Sequence, residues 1–72
     1  MRYREVTKKL RALGCIEVVR KGGGSHRRWY NPNRQPIVIV SIPDWGSKDL
    51  KTGTLRAAVK DLGFSWDEFV AA

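Results

Sequence analysis

The segment Ser25 to Tyr30, "SHRRWY", holds the chain's single histidine, His26, followed by two arginines and two aromatic residues, and the glycines at 22–24 precede it. An imidazole among cations and rings is suited to moving a proton beside a phosphodiester. Cleaving RNA without a metal requires a base that takes the proton from a 2′-hydroxyl, which then attacks the adjacent phosphate. Histidine, with an ordinary pKa of about 6.5, gives and takes protons near neutrality, and neighbouring cations stabilise the charge that builds on the phosphate. If 25–30 is extended, alternation places His26, Arg28 and Tyr30 on one face and Ser25, Arg27 and Trp29 on the other. His26 is then the candidate general base or acid. Arg27 and Arg28 are candidates to hold phosphate, with Lys21 supporting from the preceding turn and Ser25, first of all a turn residue, bordering the same RNA contacts. Tyr30 either stacks on a base or finishes a half-exposed strand, and Trp29 is a core residue under the helices or else a stacking surface. From the residues alone, His26 could equally do no more than hydrogen-bond RNA or cap the turn.

Other chemistries find less material. One histidine, one cysteine and scattered acids supply no clustered metal ligands, so neither metal nor cofactor is expected. The glycines lack the G-x-x-x-x-G-K-[ST] pattern of a phosphate loop and read as a hairpin turn. A triad of Ser25, His26 and Asp44 is opposed by strand alternation, which turns Ser25 away from His26. Cys15 reads as a small buried apolar residue just past a helix.

The elements that must position His26 follow from periodicity. Tyr3, Val6, Leu10 and Leu13 form one stripe of a helix over about 3–13, stopped by Gly14. "CIEVVR", 15–20, is rich in β-branched residues and reads as a strand, with the turn "KGGG" and a second strand over 25–30 after it. "NPNRQP" is dense in turn formers, and "IVIVSI", 37–42, is the strongest strand signal in the chain. Thr52 is placed to cap a second helix over about 53–62, with Leu55, Val59 and Leu62 on its apolar side and Gly63 at its end. Ser65 and Glu68 have the spacing of a capping box, so "SWDEFVAA" predicts a short last helix with Trp66 and Phe69 inward. Three consecutive strands on short connections favour an antiparallel meander. The expected fold is α+β: a two-layer α-β-β-β-α arrangement, a three-stranded antiparallel sheet with helices on one face, and a single domain over 1–72.

Bulk properties narrow the partners. The chain has 72 residues and a formal charge of +7. Residues 1–34 carry ten Lys or Arg against Glu5 and Glu17, a net of +8, whereas 35–72 carry four against five acids, a net of −1. Such a field attracts polyanions, and nucleic acid is the commonest in a cytoplasm. The longest apolar run falls far short of the roughly 20 residues a membrane helix needs, and no signal-peptide pattern opens the chain. A soluble, cytoplasmic protein without a membrane partner is expected, and the lone cysteine fits a reducing compartment.

With "GSH" at 24–26 after "VVRKG", a third strand ending in "IP", and "DLKTGTLRAAVKDLG" at 49–63, the chain resembles the HicA family of small mRNA interferase toxins over about 5–70. The resemblance implies a fold like that of double-stranded-RNA-binding domains and a metal-independent endoribonuclease. Its essential histidine is that of the GSH motif, here His26, and its partner is a HicB-type antitoxin that masks the site. The chain departs from the family in two places. Asp44 and Trp45 follow Pro43 where many members carry a histidine, and the turn before His26 is one glycine longer. Two rival readings stand beside this one: a non-catalytic RNA-binding module on the same basic sheet, and a basic face that only binds an acidic protein.

Overall fold

The computed structural model describes residues 1–19 and 26–72. The first apolar stripe winds into α1, Tyr3–Ala12, with Val6 and Leu10 fully buried. Its first turn is closed by the Glu5 carboxylate, which accepts from the Arg2 backbone N–H at 3.2 Å. Its last turn ends on Gly14, whose φ of +86° is the left-handed conformation that glycine adopts without a Cβ penalty. That reversal lets the Cys15 N–H donate to the Leu10 carbonyl at 2.9 Å and leads straight into the sheet.

The strands β1 (Ile16–Val18), β2 (His26–Tyr30) and β3 (Ile39–Pro43) pair antiparallel in the order β1-β2-β3, as a meander requires. Two strands have bounds that differ from those expected, and pairing explains the difference among the described residues. The strand foreseen over 15–20 is β1, which starts at Ile16 because the Cys15 N–H is already engaged by α1, and among the described residues Val18 is the last one opposite β2, facing Arg28. The strand foreseen over 37–42 is β3, which starts at Ile39 because β2 ends opposite it at Tyr30. It then runs one residue further, to Pro43 opposite His26. Arg20 at the end of the first expected strand, the turn "KGGG" including Lys21, and Ser25 lie outside the described residues.

Alternation along the strands divides the sheet cleanly. Trp29, Val40 and Ile42 point to the side where Val6, Leu10, Leu55, Val59, Leu62 and Phe69 lie, and together they make the core. The residues between them, Arg28, Ile39 and Ser41, are exposed on a face that no helix covers. The α+β arrangement with helices on one face is therefore what forms.

The second helix, α2, is Thr52–Asp61. Thr52 is not its cap. Lys51 holds the extended backbone of the N-cap position and its carbonyl accepts from the Leu55 N–H at 3.1 Å, which makes Thr52 the first helical residue. Gly63, at φ +92°, ends the segment. The last helix, α3, is Trp66–Ala71, and its capping box is complete: the Ser65 hydroxyl accepts from the Glu68 N–H at 3.1 Å while the Glu68 carboxylate accepts from the Ser65 N–H at 3.0 Å. Phe69 is fully buried, and the half-buried Trp66 packs 5.4 Å from its ring with the Arg56 guanidinium above. Buried Asn31 joins the layers, donating to the Leu62 carbonyl at 3.0 Å. Ser65→Ala should remove one half of the box and lower stability by about 1 kcal/mol, a drop of roughly 4–8 °C in the thermal midpoint followed by circular dichroism. An unchanged midpoint would mean that the Ser65 hydroxyl cap contributes nothing to stability, leaving α3 held by the packing of Phe69. No helix among the described residues is long and apolar enough to cross a membrane.

Candidate functional site

Five residues of β2 serve both faces of the sheet, and Trp29 sets their orientation. Its ring is fully buried, its indole N–H donates to the Tyr3 hydroxyl at 3.1 Å, and the Arg11 guanidinium lies 5.3 Å from the ring centroid. Burial pushes the Tyr3 phenol above its ordinary value, so the acceptor stays a neutral hydroxyl. With Trp29 held inward, His26, Arg28 and Tyr30 must point to the open face. Their spacing along the strand is about 6.6 Å per step. His26 and Arg28 are exposed and Tyr30 is half-buried.

Cross-strand neighbours complete the face. Ile16 and Ile39 flank Tyr30, Val18 and Ser41 flank Arg28, and Pro43 stands opposite His26. Ile16 and Ile39 are about half exposed, so the row through Tyr30 is an open apolar strip beside a cation and an imidazole. Glu17 is the one acid in the strands, and it pairs with Trp29 and therefore belongs to the helix side. An anionic chain laid on the open face thus meets Arg28 and His26 without a strand carboxylate to repel it.

The structure brings together His26, Arg28 and Tyr30 and separates Arg27 from them. Arg27 lies on the helix side, where its guanidinium faces Glu17 at 3.5 Å and Asp44 at 3.9 Å, and Glu17 also faces Arg11 at 3.8 Å. Arg27 and Arg28, each expected to hold phosphate, are on opposite faces, as strand alternation requires. Lys21 and Ser25 fall outside the described residues. Cys15 is buried and its thiol is pushed up by that burial, which fits a core residue and not a nucleophile. Among the described residues no group of three or more His, Cys, Asp or Glu is placed to hold a metal ion.

Two contributions are not legible in the sequence, and a third is legible only in part. Tyr3 and Arg11 hold Trp29, and the available signal was that a buried indole N–H needs an acceptor. Trp45 stands 40% exposed in a polar turn beside Lys48. Finally, Lys8 and Arg11, which helical periodicity leaves off the apolar stripe, join Arg4 at i, i+4 and i+7 in an exposed basic stripe on α1, and the structure sets it in the layer opposite His26. The basic first half is therefore divided between two faces.

Residues 3–64 match the model of the family described as HicA toxin of bacterial toxin-antitoxin. No curated protein and no solved structure matches.

Proposed function

Since the chain belongs to the HicA toxin family, and so is the toxin of a toxin–antitoxin pair whose partner is an antitoxin, we propose that it is a metal-independent endonuclease acting on messenger RNA in the cytoplasm. The observation that carries this reading is the joint placement of His26, Arg28 and Tyr30 on a face free of strand acids. His26 takes the proton of a 2′-hydroxyl, the freed oxygen attacks phosphorus, and the bond to the 5′-oxygen breaks to leave a 2′,3′-cyclic phosphate. The departing 5′-oxygen receives a proton from solvent or from the protonated His26. Arg28, one step along the strand, meets the charge on the phosphate, and Tyr30 offers its ring to a base. Lys21 and Ser25, in and after the turn that leads into His26, are the further RNA contacts of this reading, Ser25 as a turn residue at its border. Arg27 contributes phosphate contact only by leaving Glu17 and Asp44. A HicB-type antitoxin silences the toxin by covering this open face, where Ile16, Tyr30 and Ile39 give it apolar area to bury.

The α1 stripe favours a second reading. Arg4 and Lys8 serve no cleavage step, Arg11 meets phosphate only by leaving Glu17, and cations on both layers suit a module that binds RNA without cutting it. One experiment separates the two. Purified protein, freed of any partner, is incubated with a long single-stranded RNA in the presence of a metal chelator, and cleavage is expected. RNA that is bound but stays intact would replace the nuclease with the binding module.

A further inference from the structure

The turn after β3 has no part in the mechanism above, yet it is built against the strand that carries His26. Pro43 is the register partner of His26. The next residue, Asp44, faces the Arg27 guanidinium with one carboxylate oxygen and accepts from the Gly46 N–H at 3.0 Å with the other. Arg27 adjoins His26 in β2, so this one carboxylate ties the turn to the candidate catalytic residue's neighbour. The Lys48 N–H closes the turn on the Trp45 carbonyl at 3.2 Å.

Trp45 is the outlier among the three tryptophans. Trp29 is enclosed by the core and Trp66 packs on Phe69, whereas Trp45 is 40% exposed and lines an open hollow with Lys48. An open indole and a lysine lining one hollow match a nucleotide, which offers a flat base and an anionic phosphate. The cross-strand pair and two further residues place the Trp45 Cα within roughly 13 Å of that of His26. That is the reach of a neighbouring nucleotide.

We propose that Trp45 and Lys48 form a subsite for a nucleotide adjoining the scissile phosphate, the indole stacking on an unpaired base and the lysine meeting its phosphate. The inference rests on the RNA reading above and makes single-stranded RNA the ligand, because a base inside a duplex is already stacked and has no free face to offer.

The test uses the full chain carrying His26→Ala, so that RNA stays intact, titrated with a short single-stranded RNA and with the same sequence as a duplex. Adding Trp45→Ala should weaken single-strand binding about tenfold while changing duplex binding by less than about twofold. Trp45→Phe, which keeps a ring, should hold single-strand affinity within about threefold. Single-strand binding unaffected by Trp45→Ala, or an equal loss for both RNAs, would overturn the subsite and leave the nuclease reading in place. A parent that binds neither RNA would overturn both.

Discussion

His26→Ala is expected to abolish RNA cleavage, with initial rates falling at least about a hundredfold, the lower end of what a positioned general acid or base supplies. The fold should survive the change. His26 opens β2 on the uncovered face and its side chain is exposed, so truncation removes no core contact and stability should stay within about 0.5 kcal/mol of the parent. Rates on a long single-stranded RNA and a thermal melt of the same preparation read the two quantities together. His26→Gln sharpens the result, because glutamine can still hydrogen-bond RNA but cannot carry a proton at neutral pH. If glutamine preserves cutting while alanine loses it, His26 only positions the RNA. If alanine cuts at full rate, the proposed mechanism is wrong.

Trp29→Ala should unfold much of the population. Truncating a fully buried tryptophan costs about 3–5 kcal/mol. A chain of this length holds only about 4–11 kcal/mol in total. The substitution also leaves the Tyr3 hydroxyl without its donor and Arg11 without the ring it lies against. Trp29→Phe narrows these contributions, since it keeps a ring and refills most of the volume while forfeiting the hydrogen bond, at about 1–3 kcal/mol. Urea unfolding measures both. An alanine variant within 1 kcal/mol of the parent would contradict the placement of Trp29 at the centre of the core.

What the sequence disclosed of the fold is what short-range chemistry governs. The α1 stripe, the glycines that end the first two helices and the Ser65 capping box all act over four residues or fewer, and each is where its pattern put it. The strand ends were not legible, because they depend on where the neighbouring strand stops: Ile39 begins β3 only because Tyr30 ends β2. The same divide runs through the site. Alternation alone placed His26, Arg28 and Tyr30 together and Arg27 apart. That Arg27 meets two acids, one from β1 and one from beyond β3, is a fact of three-dimensional assembly that no local pattern announces. Trp45 was hidden for a related reason, since in a polar turn nothing local distinguishes an aromatic that will be packed from one left open.

The division of cations between layers sets how binding must respond to ionic strength. On the open face Arg28 is the described arginine, and each phosphate neutralised on a single strand contributes about −0.7 to the slope of log affinity against log salt. RNA held by that face alone, with help from Lys48, should show a shallow slope of about −1 to −2. Engagement of Arg4, Lys8 and Arg11 as well requires the strand to bend round the sheet edge to the far layer, and the counterions released there would steepen the slope by about 2. The slope therefore reports whether the polyanion lies across one side of this protein or wraps it.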